Sequence, residues 1–203
     1  MIAVLDYGIG NLRSAQKALE HVGADARLVT TVEEAAAATA VVLPGVGAFG
    51  ACMAALRRSG LDQAAHDAVE RGVPFLGVCV GMQLLYEGSE ESPDSEGLGI
   101  LPGTIRLLPD GVKRPQMQWN CLDIVDEGNP IFDGLTDPWV YFVHSYAAEP
   151  SGDVIATCDY GGPTVAAVGR ENLWAMQFHP EKSGPVGLQL LRNFVQISRR
   201  SAG

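Results

Sequence analysis

Basic residues are scarce in this chain of 203 residues: Lys and Arg number 14 against 24 Asp and Glu, giving a formal charge of −10. The few present are scattered, apart from Arg57-Arg58 and Arg199-Arg200. Phosphate recognition rests on clustered cations, so a nucleic-acid-binding role is excluded. No acidic run forms a solvated tail either. Charged residues make up only 19% against 47% apolar, which rules out a disordered chain and fits a packed one. The length favours one compact domain over residues 1–203, large enough to bury a core without covalent staples.

Cysteines number four (Cys52, Cys79, Cys121 and Cys158) and none falls in a C-x-x-C pair. No zinc or other metal site is therefore expected, and no cofactor. The start, Met1-Ile2-Ala3-Val4-Leu5-Asp6, lacks the basic region of a signal peptide, so the expected setting is cytoplasmic with reduced thiols. The longest uncharged stretch runs from Ala35 to Leu56, near the length of a membrane span. Pro44-Gly45-Val46-Gly47 breaks it in the middle, so it reads as a helix end, a buried strand, a loop and a second helix start. No membrane role is expected.

What is present alternates. Ile2–Leu5, Arg27–Thr30, Val41–Leu43 and Pro74–Val78 read as short buried strands. Between and after them, Asn11–His21, Gly50–Arg58, Leu61–Arg71 and Val80–Tyr86 carry helical periodicity. Strands separated by helices imply an α/β fold whose central sheet is mainly parallel, with helices on both faces. The second half changes character. Ile105–Leu108, Gln118–Val125, Val140–Tyr146, Val154–Cys158, Thr164–Val168 and Trp174–Phe178 are β-like runs punctuated by Gly, Pro and Asp, which predicts added antiparallel strands. Gly187–Ile197 closes the chain as an amphipathic helix.

The sharpest chemical signal is Gly77-Val78-Cys79-Val80-Gly81 at a strand-to-helix junction. It has the form of a nucleophile elbow, G-x-S-x-G, with Cys for Ser. The glycines leave room for a tight turn that presents the sulfur, and a thiolate there faces free N–H groups at a helix start. The N–H of Val80 is then placed to meet a developing oxyanion. The plainer reading is a buried cysteine in a Gly-rich strand end.

A second signal is His179-Pro180-Glu181 after the last strand. Proline makes its predecessor extended, and residues i and i+2 of an extended chain point the same way, so Glu181 is expected to orient His179. Cys79, His179 and Glu181 then form a nucleophile–base–orienter set. His144 is a rival base with no acid nearby in sequence and reads as structural or substrate-adjacent. His21 and His66, on helices among polar residues, read as solvated.

Gly45-Val46-Gly47-Ala48-Phe49-Gly50 matches G-x-G-x-x-G, yet follows the third strand and lacks an acid at the end of the next one, so a dinucleotide site is disfavoured. A better use is a loop whose N–H groups at Val46 and Gly47 supply the second half of an oxyanion hole. Asp6-Tyr7-Gly8-Ile9-Gly10-Asn11 reads as a phosphate loop, a partner contact or a tight turn.

Gly77–Gln83 with His179-Pro180-Glu181 resembles the triad-type class I glutamine amidotransferases. Asp6–Ser14, Pro44–Phe49, Tyr141–Tyr146 and Gln177–Ser183 narrow the resemblance to the glutaminase subunits of imidazole glycerol phosphate synthase, and the motifs run in order along almost the whole chain. The resemblance implies a Cys79 thioester of glutamine, release of ammonia, and its passage to a cyclase subunit in a heterodimer. There it would yield imidazole glycerol phosphate and an aminoimidazole carboxamide ribotide. It also implies that Gln83, Glu91, Ser145 and Tyr146 hold glutamine. Asn11, Trp119, Asn120, Tyr141 and Lys182 correspond to positions facing the cyclase. One departure stands out: where the family has P-H-M-G-W-N, this chain has Pro115-Gln116-Met117-Gln118-Trp119-Asn120. A glutaminase for another acceptor, such as a pyridoxal phosphate synthase, and a non-catalytic binding module with an inert Cys79 remain the alternatives.

Overall fold

The computed structural model describes residues 1–201; the last two positions of the domain expected over 1–203 lie outside the described residues. In chain order the elements are β1 (Ile2–Leu5), α1 (Leu12–His21), β2 (Ala26–Val29), α2 (Val32–Ala36), β3 (Ala40–Gly45), α3 (Phe49–Ser59), α4 (Leu61–Glu70), β4 (Phe75–Cys79) and α5 (Val80–Gln83). The second half adds β5 (Gly88–Ser89), β6 (Thr104–Leu107), β7 (Gln116–Cys121), β8 (Asp123–Ile124), β9 (Trp139–His144), β10 (Tyr146–Ala148), β11 (Val154–Asp159), β12 (Pro163–Arg170), β13 (Leu173–Met176) and α6 (Gly184–Arg200).

Eight strands form one sheet in the order β2-β1-β3-β4-β13-β12-β11-β8. The pairs from β2 through β13 are parallel, and the pairs from β13 through β8 are antiparallel. This is the division foreseen between the two halves. The inner parallel strands are buried throughout, every residue of β1, β3, β4 and β13, as a strand covered on both faces must be, while β2 at the edge exposes Arg27. In α6, Leu190, Leu191, Phe194 and Val195 are buried, and Phe194 meets Trp174 of β13 edge-on at 6.4 Å between centroids. Truncating such a core aromatic costs about 3–5 kcal/mol.

Three expectations are corrected. The run Gln118–Val125 is two strands, and Val140–Tyr146 is also split. β9 pairs with β7 in a separate ribbon, whereas β10 joins β6 and β5 in a three-stranded sheet. Ser145 is the corner where the chain leaves one sheet for the other. The helix expected over Val80–Tyr86 ends at Gln83, since Leu84 to Tyr86 form tighter turns with Leu85 N bonded to the Met82 carbonyl. No helix is long and apolar enough to cross a membrane among the described residues.

The result that matters for chemistry is positional. β3, β4 and β13 are parallel neighbours, so their carboxyl ends rise side by side. In open α/β sheets, ligands settle at that edge. Gly45 ends β3, Cys79 ends β4, and His179 lies three residues past β13.

Candidate active site

Cys79 stands at φ 55° and ψ −116°, a left-handed backbone that a side-chain-bearing residue rarely adopts. Such a conformation costs about 1–3 kcal/mol and persists where the surroundings impose it. Here the neighbouring glycines impose it. A Cβ on Gly81 would run into the Leu43 carbonyl oxygen, and one on Gly77 would press the Gly81 carbonyl and the Leu85 side chain. The elbow predicted from G-x-C-x-G is present. Because α5 has only four residues, its dipole is small, and the free N–H groups of its first turn carry that part of the expectation.

His179 follows β13 in an extended conformation, with its N–H bonded to the Tyr141 carbonyl at 3.0 Å. Its Nδ1 lies 2.8 Å from Glu181 Oε1, and both side chains are buried. The predicted pairing is there, but by another route. Pro180–Lys182 is a turn of 3-10 helix and not extended chain, so the carboxylate curls back to the ring. Burial alone would lower the basicity of His179. The interaction with the Cys79 thiol, the 2.8 Å bond to Glu181 and the charges of both outweigh it, and the pKa is pushed up to about 9.

Cys79 and His179 line one cleft of about 360 Å³. The residues predicted for the oxyanion hole, Val46, Gly47 and Val80, line it too, as do Gln83, Glu91, Ser145, Tyr146 and Lys182. Tyr7 donates its hydroxyl to the Pro44 carbonyl at 2.7 Å, and Cys52 Sγ reaches the Val46 carbonyl at 3.2 Å. Side chains thus tie down the carbonyls of Pro44 and Val46, on either side of Gly45. Gly47, at φ +88°, supplies its bend. Glu91 receives the N–H of Phe49 at 2.8 Å, fixing the start of α3 beside this loop.

Gln177 was missed as a site residue. It is fully buried, its Nε2 lies 4.0 Å from Cys79 Sγ, and its Oε1 accepts the Gln83 amide at 3.0 Å. A signal existed: Gln177 and His179 are two apart at a strand end, hence on one face. Ser183 was also missed; its hydroxyl accepts the Tyr141 N–H at 2.9 Å and donates to the His179 carbonyl at 2.7 Å. His144, the rival base, is a buried member of the cleft wall bonded to Gln116 and Tyr146. Burial pushes its pKa down to about 4.

Four of the five positions assigned to a partner, Asn11, Trp119, Tyr141 and Lys182, lie around this edge. Trp119 and Tyr141 face each other across the β7·β9 ribbon, rings 6.2 Å apart, with Trp119 48% exposed. The Trp119 ring also borders Gly184, two residues after the exposed Lys182. Asn11 shares a small crevice with His179 and Glu181. Asn120 differs: its amide turns inward to the Asp159 carbonyl at 2.9 Å, so its side chain also serves the fold.

Residues 3–197 match the family described as glutamine amidotransferase class-I. The chain belongs to that family. Among class I glutamine amidotransferases it is 50% identical over 200 residues to the imidazole glycerol phosphate synthase subunit HisH of Methanothermobacter thermautotrophicus, covering 98% of this chain and all of that one. The HisH subunit of Salinibacter ruber is 47% identical over 207 residues, covering 97% and 94%. A solved structure described as a glutamine amidotransferase superposes with TM-score 0.77 at 22% identity, covering 98% of both chains. The structure of PurLQS from Thermotoga maritima gives 0.76 at 19%, covering 97% of each. These two establish likeness of fold.

Proposed function

We propose that this class I glutamine amidotransferase hydrolyses glutamine to glutamate and ammonia with Cys79, His179 and Glu181, and serves as the glutaminase subunit of imidazole glycerol phosphate synthase. The observation that carries the chemistry is a strained elbow cysteine sharing a cleft with a buried His179 that is paired with Glu181 at 2.8 Å. Cys79 Sγ attacks the side-chain amide carbon of glutamine, and His179 holds the thiol proton. The oxygen charge that develops is met by N–H groups of Val80 and of the Val46–Gly47 loop. His179 then gives its proton to the leaving nitrogen, the C–N bond breaks, and ammonia departs from a γ-glutamyl thioester. Water, deprotonated by His179, attacks the thioester; glutamate leaves and the thiol is restored. Glu181 keeps the imidazole oriented and steadies its charged form.

Gln83, Glu91, Ser145 and Tyr146 hold the substrate along the cleft wall. Asn11, Trp119, Asn120, Tyr141 and Lys182 meet a cyclase subunit in a cytoplasmic heterodimer, and ammonia passes into it. The partner reading follows from the HisH relatives and from aromatic side chains left exposed beside the triad. The decisive experiment measures ammonia release from glutamine with and without the cyclase and its nucleotide ligand. Release that depends on Cys79 and rises with the cyclase supports the proposal. Release stimulated instead by another synthase would reassign the acceptor, and none under any condition would leave a binding module.

A further inference from the structure

One wall of the Cys79 cleft holds a chain of polar groups that the triad does not use. Gln116 opens β7 opposite His144 of β9, and both are buried. One end of the Gln116 amide lies 2.9 Å from His144 Nε2, and its other end lies 3.8 Å from Cys158 Sγ. His144 Nδ1 lies 2.8 Å from the Tyr146 carbonyl oxygen. That carbonyl also receives Gln83 Nε2 at 3.0 Å, and the second Gln83 N–H goes to Gln177 Oε1, beside Cys79.

Buried donors and acceptors must alternate along such a chain, because an unmatched one costs more than a hydrogen bond gains. A carbonyl only accepts, so His144 Nδ1 carries hydrogen. With its pKa pushed down to about 4 by burial, the ring is neutral at pH 7 and Nε2 is a lone pair. That lone pair needs a donor. With Oε1 toward the ring, two acceptors would meet at 2.9 Å. The two ends of an amide are alike in shape, so chemistry decides between them. Turned with its NH2 to the ring, Gln116 presents Oε1 to Cys158, whose thiol burial pushes up to about 11 and which therefore donates S–H. The His144 lone pair and the Cys158 S–H then both have partners.

We infer that Gln116 is a positioning residue of the glutamine site: its amide N–H holds His144 as the Nδ1–H tautomer, and that N–H, together with Gln83, fixes the Tyr146 carbonyl in the cleft wall. The placement matters at this point in the fold. Ser145 is the corner between two sheets, held on one side by Leu108 N at 2.9 Å from the Ser145 carbonyl. His144 and Gln83 supply the restraint on the other. Substrate holding by this wall rests on the glutaminase reading; the tautomer is a property of the chain alone.

The test uses the whole chain labelled with 15N-histidine, with Gln116→Leu and Gln116→Glu beside the parent. Long-range 1H–15N spectra at pH 7 report the His144 tautomer, and alkylation by iodoacetamide reports the glutamine concentration that half-protects Cys79. The parent should show neutral His144 with hydrogen on Nδ1. Gln116→Leu should raise the half-protecting concentration about tenfold, the scale of one lost hydrogen bond. Gln116→Glu offers only acceptors, so His144 should become doubly protonated while protection stays within about threefold, its Nδ1–H being kept. Hydrogen on Nε2 in the parent, or unchanged protection in Gln116→Leu, overturns the inference. If Gln116→Leu does not fold, the parent tautomer and the Gln116→Glu spectrum decide. If glutamine fails to protect the parent, the glutaminase reading falls, while the spectra still judge Gln116.

Discussion

The backbone of Gly81 lies against the Leu43 carbonyl so closely that any Cβ there would overlap the oxygen. The same elbow abuts Gly45, whose added Cβ would come 2.6 Å from Gly81 N. Two strands therefore close around a bend that only glycine permits. Gly81→Ala should destabilise the fold by about 3 kcal/mol or more, since neither backbone can yield without breaking the β3·β4 ladder. Urea unfolding of that variant, with Gly72→Ala as an open-space comparison, measures it. Gly72 has a positive φ of +72° but meets nothing within 4 Å, so its cost should be smaller than that of the backbone overlap at Gly81.

Replacing the nucleophile separates the two activities of the proposed complex. Cys79→Ala should abolish synthesis driven by glutamine and leave synthesis from ammonium salts intact, because free ammonia bypasses the cleft. His179→Ala should lower the glutamine-driven rate about 100- to 10,000-fold, the usual scale of a general acid–base group. Loss of both activities together in Cys79→Ala would refute this division of labour.

The Cys79 substitution should also be felt at His179. Burial lowers the proton affinity of that ring, and Cys79 and Glu181 reverse the effect to give about 9. With Cys79 gone, its share of the opposing support is lost and the pKa should fall. The sign for stability follows. In the parent, a raised pKa stabilises the fold fully below the ordinary value of about 6.5 and loses that contribution as pH rises through about 9. NMR titration of His179 in parent and Cys79→Ala tests it; coincident curves would mean the thiol is not the ring's partner.

How much of this was legible in sequence depends on distance along the chain. The elbow declares itself within five residues, because two glycines around a cysteine at a strand end restrict the backbone locally. The inner parallel strands declare themselves through unbroken apolar runs, whereas β2 at the edge carries Arg27. His179 and Glu181 meet as expected but on a different backbone: only His179 is extended, and the 3-10 turn that follows folds the carboxylate back to the ring. The Gln83–Gln177 bond spans 94 positions and Gln116–His144 spans 28. Each depends on strand registers that a single sequence does not specify, and the corner at Ser145 hid the change of sheet inside one continuous β-like run.

His144 gives the opposite pH response to His179. Its pKa is pushed down to about 4 by burial, with the nearby His179 adding repulsion, so the unfolded chain binds a proton that the folded chain refuses. Its contribution is present above the ordinary value of about 6.5 and is lost as pH falls through 4, up to about 3 kcal/mol in all. Urea midpoints at pH 7 and 4.5 should therefore differ more in the parent than in His144→Gln. Equal differences would show that His144 is not a source of acid sensitivity.

The exposed rings beside the triad allow the partner surface to be tested apart from the fold. Met117, Trp119 and Trp139 are exposed apolar side chains of one ribbon, on the face that Tyr141 shares. An isolated exposed apolar residue needs no explanation, but aromatic rings clustered at the edge of a cleft mark contact surfaces. Trp119 is half exposed and borders Tyr141 and Gly184, so Trp119→Ala should cost the isolated chain much less than loss of a fully buried aromatic. If a cyclase covers it, the ring becomes a buried aromatic anchor. Its loss should then cost roughly 2 kcal/mol or more of binding, a weakening of about 30-fold. Asn120→Ala should behave differently, because its amide holds the Asp159 carbonyl inside the chain and its removal should lower stability as well. Titration calorimetry against the cyclase, run with unfolding curves of the free variants, separates the two. Equal affinity for parent and Trp119→Ala would move the docking surface away from this ribbon.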